Sequence, residues 1–375
     1  MEKIRKQRRS HFLLNLLPVE SLGQAAGLQQ EDAVNGSESG ADAEAAADGE
    51  ASDQRQIFDL GGFPSSVSFH ETAHGFFALT YSQDQADKFR LRLLRLGPDE
   101  KWEQVEQASA LQGLRPVLVE EGELLWLYYL QTADLISRSF SRDGIHWSPP
   151  ETIGEGVAVS VDAVVLSEGT AVAWSLSTGD ETRVDLARCT PQGCSEPRTI
   201  FAAEGRMGYI ALASEPASGK LLLLCSYWDP KNQSQVIEAS AEAQGFEKRR
   251  LTPEGKDISA SSDLLVYHGR DAAFAIWHQS LGKGSQQTAG KVGLALYDYE
   301  ESRWMMPPLT IGPDDATLGV ADSPRLAFHG DSVWLSFIAC DSRTGLFGVK
   351  TPAFTGELFL KRLDLESEEQ EGQSR

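Results

Sequence analysis

The stretch "SFSRDGIHWSPPETIG", Ser139–Gly154, decides how the rest of the chain is read. A polar cluster around Asp143 and Gly144 makes a tight turn, an aromatic residue follows at Trp147, and a short strand-forming run ends at Ile153. The end of this stretch returns further along. "CSEPRTIF" (Cys194–Phe201) and "WMMPPLTIG" (Trp304–Gly312) repeat its pattern of a bulky start, a proline and a closing apolar residue. The matching first positions are Trp102, Trp147, Cys194, Phe246 and Trp304. They stand roughly 45–58 residues apart, the spacing of propeller or solenoid repeats.

The other parts of the repeat follow the same spacing. Each unit opens with an apolar strand, a polar turn and a stronger apolar strand, as in "PVLVEEGELLWLYYL" (Pro116–Leu130), "DAVVLSEGTAVAWSL" (Asp162–Leu176) and "RLAFHGDSVWLSFIA" (Arg325–Ala339). A third strand comes next, as in "DLISRSFS" (Asp134–Ser141) and "KVGLALYD" (Lys291–Asp298). Such pairs begin near Ser66, Arg115, Asp162, Ile210, Ser262 and Arg325. Four strands in each unit predict an all-β, six-bladed β-propeller. The last unit stops after "ELFLKRLDL" (Glu357–Leu365), one strand short. "RQIF" (Arg55–Phe58) echoes "RTIF" (Arg198–Phe201), so Arg55–Leu60 is expected to supply the outer strand and leave no open edge.

"SRDGIHW" resembles the Asp box of the sialidase superfamily, the BNR repeat, through Ser141, Asp143, Gly144 and Trp147. The resemblance implies a hairpin between the third and fourth strands of a blade, which is where the repeat already puts it. It also implies a structural role at the rim, away from the ligand face. The carboxylate would take backbone N–H groups and Trp147 would pack between neighbours. An active member would need three arginines around a carboxylate, a tyrosine nucleophile with a glutamate, and an aspartate acid/base. The family's Arg-Ile-Pro signature is missing from the first unit, which reads "GGFPSSVSF" (Gly61–Phe69).

The ligand face of such a ring carries the loops between second and third strands and the links between blades. Asp84, Asp87, Asp134, Asp180, Trp228, Asp229, His278, Asp322, Asp341 and Arg343 fall there. Arg115, Arg206, Tyr209 and Arg325 open alternate units and are the candidate ligand-binding residues, fit for a sugar carboxylate or sulfate. Two functions stay open: a non-catalytic propeller binding a glycan or protein ligand, and a glycoside hydrolase of exo-sialidase type acting on acidic glycans. The catalytic residues stay unassigned. No metal or cofactor motif is present, and His70, His268 and His329 read as turn residues spread around the ring. Cys189 and Cys194 flank a hairpin tip at a spacing that suits a disulfide, whereas Cys225 and Cys340 belong to second strands as buried thiols.

The 375 residues carry a formal net charge of −21, which argues against a nucleic-acid surface. No apolar run is long enough to span a bilayer as a helix. Residues 1–54 combine a basic start with an acidic spacer expected to be disordered, 55–365 form the propeller, and 366–375 are an acidic tail. Arg8 and Arg9 before "SHFLLNLL" are similar to a twin-arginine export signal, except for His11 where that pattern expects an apolar residue. An exported protein and a cytoplasmic one with a basic tail both fit. A monomer is expected.

Overall fold

The computed structural model describes residues 13–16, 63–64, 68–83, 89–98, 101–252, 258–268, 272–281, 288–305, 308–311, 318–329, 332–341 and 357–366. The fold is an all-β propeller of four-stranded blades. It opens with β1 (Leu13–Leu16), which pairs with the last strand of the chain. The first blade holds β2 (Phe63–Pro64), β3 (Ser68–Thr72), β4 (Gly75–Gln83), β5 (Phe89–Leu96) and β6 (Trp102–Gln104), followed by a one-turn helix α1 (Glu106–Ser109). The second is β7 (Leu114–Glu121), β8 (Leu124–Thr132), β9 (Leu135–Ser141) and β10 (Glu151–Glu155). The third is β11 (Ala158–Leu166), β12 (Gly169–Thr178), β13 (Glu181–Thr190), β14 (Gly193–Cys194) and β15 (Arg198–Glu204). The fourth is β16 (Arg206–Ser214), β17 (Leu221–Asp229), β18 (Ser234–Ala241) and β19 (Arg249–Arg250).

The remaining strands form one nine-stranded sheet. It contains β20 (Ile258–His268), β21 (Ala272–Leu281), β22 (Thr288–Asp298), β23 (Arg303–Trp304), β24 (Leu309–Ile311), β25 (Leu318–His329), β26 (Ser332–Asp341), β27 (Glu357–Glu366) and β1. The expectation of six separate blades is therefore corrected to five sheets. The reason is local. The short β24 covers only Val292–Leu294 of β22, and beyond it Gly290 pairs with Val320 of β25. An uncovered strand edge recruits the next strand within reach. The outer strand is a second correction. β27 pairs with Leu13–Leu16, which comes from the segment expected to be a tail; Arg55–Leu60 lies outside the described residues.

Burial explains why the second strands read as nearly unbroken apolar runs. A second strand with a neighbouring blade on each side turns apolar side chains to both of them. In β8, Leu125, Leu127 and Tyr129 pack on Phe77, Leu79 and Leu91 of the first blade. Trp126, Tyr128 and Leu130 point the other way, onto Val161, Val172 and Trp174. The same alternation joins β12 and β13 to β17 and β18, those to β21, and β21 to β26. Full burial of each such side chain stabilises by about 1.5–3 kcal/mol. Inner strands β7, β11, β16, β20 and β25 lie side by side in that order. One further correction concerns the histidines. His268 and His329 end inner strands, but His70 sits inside β3, where burial lowers its pKa to about 4.

Candidate functional site

The Ser141–Trp147 hairpin joins β9 to β10. The Ser141 hydroxyl accepts the Gly144 N–H at 2.9 Å and donates to Asp143 Oδ1 at 3.1 Å. The same carboxylate oxygen accepts the N–H groups of Ile145 and His146, each at 2.8 Å. Asp143 Oδ2 meets His146 Nδ1 at 2.6 Å. These contacts, led by the His146 ring and then the two backbone donors, hold the carboxyl well below the usual carboxylate range. Gly144 has φ +74°, and a Cβ there would stand 2.6 Å from Phe77 Cζ of the first blade. Trp147 packs in the same inter-blade cluster, and its backbone N–H donates to Gln107 Oε1 in α1. The bonds to Asp143 stay within the hairpin, whereas the Gly144–Phe77 approach and the Trp147 contacts tie this blade to the one before it.

The mouth of the ring is built differently. Near their starts the inner strands carry bulges, with two residues facing one of the second strand. Arg115–Pro116 face Tyr129, Gly208–Tyr209 face Ser226, Asp263–Leu264 face Trp277, and Ser323–Pro324 face Phe337. In β11 the additional residue is Val159. Proline is tolerated in a bulge because the extra residue is outside the ladder. Bulges also re-aim side chains, and here two are aimed at each other. Arg115 and Tyr209, from the second and fourth blades, meet across the third. The Arg115 guanidinium lies 4.4 Å from the centre of the Tyr209 ring, and its Nη2 donates to the Tyr209 hydroxyl at 3.0 Å. Arg115 has φ +54°, a strained left-handed conformation for a non-glycine residue. Its Nε is buried without an acceptor, and no carboxylate pairs with it among the described residues.

The other candidates are placed less closely. Arg206 is exposed at the start of β16, opposite Trp228. Arg325 lies on β25 opposite Ser336; its side chain, like those of Asp322 and Asp341, is outside the described residues. Asp84, Asp87 and Arg343 are outside them altogether. His278 is buried in β21. Asp134 and Asp180 serve through their backbones, their carbonyls accepting Gly156 N–H at 3.0 Å and Gly205 N–H at 2.6 Å. Both glycines follow a glutamate and open the next blade, with φ +126° and +127°. Asp229 closes its own turn by accepting the Lys231 N–H at 2.8 Å.

Several residues at the mouth were missed by sequence reasoning. Ser160, Ser175 and Ser226 are buried beside the Gly208–Tyr209 bulge. Their visible signal is a serine inside otherwise apolar runs, "AVAWSL" (Ala171–Leu176) and "LLLLCSYW" (Leu221–Trp228). In the sequence Asp162 marks the start of a unit and is a possible ion-pair neighbour of the candidate arginines. Its two oxygens accept the N–H groups of Ala163, at 2.8 Å, and of Leu212 in the next inner strand, at 2.7 Å. Burial raises its carboxyl to about 6 despite those two bonds. Arg138 is fully buried at 2% exposure, paired through two nitrogens with Glu151 and bonded to the Thr190 carbonyl at 2.8 Å. It locks the second blade to the third.

Cys189 and Cys194 face each other across β13 and β14 and are joined by a disulfide. Cys225 is a buried free thiol on β17, and Cys340 lies on β26 with its side chain outside the described residues. Tyr227 does lie beside a glutamate, Glu238, but it faces the Phe201 side of the third blade. Tyr209 has no carboxylate partner among the described residues. Among those residues no cluster of three or more His, Cys, Asp or Glu is placed to hold a metal ion, and no helix is long and apolar enough to cross a membrane.

No protein-family model matches the sequence, and no curated protein matches it. Solved structures do show similarity. A neuraminidase-like protein of flat-faced bat origin aligns with 83% of this chain and 90% of its own, at 11% identity and TM-score 0.46. The α-L-arabinofuranosidase of Podospora anserina, solved with cellotriose, aligns over 84% and 93%, at 13% identity and TM-score 0.44. An exo-1,5-α-L-arabinanase from a bovine ruminal metagenomic library aligns over 67% and 92%, at 10% identity and TM-score 0.36.

Proposed function

We propose that the chain is a sialidase-superfamily propeller that binds an acidic glycan at the mouth of its ring, without cleaving it. The observation that carries this reading is the Arg115–Tyr209 pair. A guanidinium held in strained backbone, stacked on a tyrosine and lacking a carboxylate partner among the described residues is a receptor for an anionic oxygen. Its buried Nε–H requires an acceptor. Arg206, exposed at the start of its strand, adds positive charge inside a protein of net charge −21, and Arg325 follows the bulge of β25. The Asp-box geometry supports the superfamily assignment. The disulfide supports an exported protein, and a monomer remains our reading.

One observation favours a hydrolase instead. Asp162, raised to about 6, keeps its proton to a higher pH than an ordinary carboxyl, as a general acid requires. Its oxygens are engaged with backbone N–H groups, and Tyr209 has no glutamate beside it among the described residues; both favour binding. Calorimetry with N-acetylneuraminic acid and glucuronic acid, run beside a panel of fluorogenic glycosides, separates the two. Saturable binding lost in Arg115→Ala, with no turnover, is the expected result. Turnover of a sialoside abolished by Asp162→Asn would replace it with the hydrolase.

A further inference from the structure

Resting on that binding reading, we infer that Ser226 is the positioning residue of the mouth, setting Tyr209 beneath Arg115 from the opposite strand. A bulge takes two residues out of the ladder and leaves their peptide groups to find other partners. At Gly208–Tyr209 those partners are three buried serines from two blades. Ser226 Oγ accepts the Tyr209 N–H at 2.9 Å and lies 3.3 Å from the Tyr209 carbonyl. Ser175 Oγ donates to the Gly208 carbonyl at 3.4 Å, and Ser160 Oγ accepts the Ile210 N–H at 3.5 Å. Ser226 makes the shortest of these bonds.

The fit is close enough to restrict the sequence on both strands. A Cβ on Gly208 would stand 2.6 Å from Ser226 Oγ, so the small residue and the hydroxyl are matched. The Tyr209 ring then meets a guanidinium that belongs to a residue 94 positions earlier. A change of peptide orientation at Tyr209 swings that ring through several ångströms, because the ring is carried far from the Cα. The serine therefore sets the shape of an anion site without belonging to it.

The test labels the eight tyrosines with 3-fluorotyrosine and assigns the Tyr209 resonance by its loss in Tyr209→Phe. In the unsubstituted protein, Arg115→Ala should shift that resonance. In Ser226→Ala the resonance should already be displaced, and adding Arg115→Ala should move it little further. Binding of N-acetylneuraminic acid should weaken about tenfold, the equivalent of one lost hydrogen bond. Ser175→Ala makes the same measurement available if Ser226→Ala fails to fold, with a smaller displacement expected from its longer bond. An unmoved Tyr209 resonance that still responds fully to Arg115→Ala overturns the inference, whatever happens to the melting temperature. If the unsubstituted protein binds no acidic sugar, the binding reading fails, while the resonance still decides whether Ser226 positions Tyr209.

Discussion

The Ser141–Trp147 hairpin and the bulged mouth solve the same problem with the same chemistry in opposite surroundings. In both, small polar side chains take up backbone N–H groups that no ladder serves. At the hairpin the acceptor is an exposed carboxylate, and its partners lie within five residues of Ser141. At the mouth the acceptors are buried hydroxyls and one carboxylate, and apart from the Ala163 N–H on Asp162 their partners lie 17 to 50 residues away. A local motif can be copied into any blade and only trims stability. A long-range one orients side chains from different blades toward each other, as a binding site requires.

The largest expected break in this comparison comes from glycine substitutions. A Cβ on Gly205 would lie 2.0 Å from the Trp228 carbonyl, in a backbone region only glycine visits readily. Gly205→Ala should cost roughly 3 kcal/mol or more and disturb the mouth. Gly144→Ala meets the end of the Phe77 side chain, which can shift, and should cost about 1–2 kcal/mol. Denaturant melts of the two variants rank them directly; equal costs would erase the distinction between rigid mouth and adjustable rim.

Arg115→Lys sharpens the functional half. Lysine keeps the charge but loses the planar fork and the stacking on Tyr209. Affinity for N-acetylneuraminic acid should fall about tenfold or more, with the melting temperature little changed, because lysine carries the same Cβ into the same backbone conformation. The Asp143→Ala control should leave that affinity intact.

The two carboxylates should titrate with opposite sign. Asp162 has a folded-state value near 6, above its unfolded value of about 4, so folding favours its protonated form. Stability is expected to fall as pH rises from about 4 to about 6 and to level off above that. Asp162→Asn should flatten that slope, as read from denaturation midpoints at about pH 4 and pH 7. Asp143 is depressed, so its contribution is present above about pH 4 and is lost in stronger acid as pH falls through its folded value. Because the group is half exposed, Asp143→Ala should cost only about 1 kcal/mol at neutral pH. A cost above that of Gly205→Ala would make the box more than a rim fastening.

Much of this was legible before any coordinates. Two-sided apolar second strands, proline-marked outer strands and the Ser141–Trp147 turn spacing are each written within one short run of residues, so they are visible locally. Pro116 and Pro324 even mark two of the bulges, although their meaning depends on the partner strand. What the sequence hid was every relation between blades. The single pairing of Gly290 with Val320 merges two units into one sheet, and Leu13–Leu16 takes the edge expected for Arg55–Leu60. Ser226 looked like an interruption in a core strand until the Tyr209 backbone was placed against it. Composition and periodicity determine that this chain curls into small twisted sheets with two apolar faces. Which arginine meets which tyrosine was decided only by the tertiary structure, because that contact depends on the rotation between blades accumulated across an entire intervening blade.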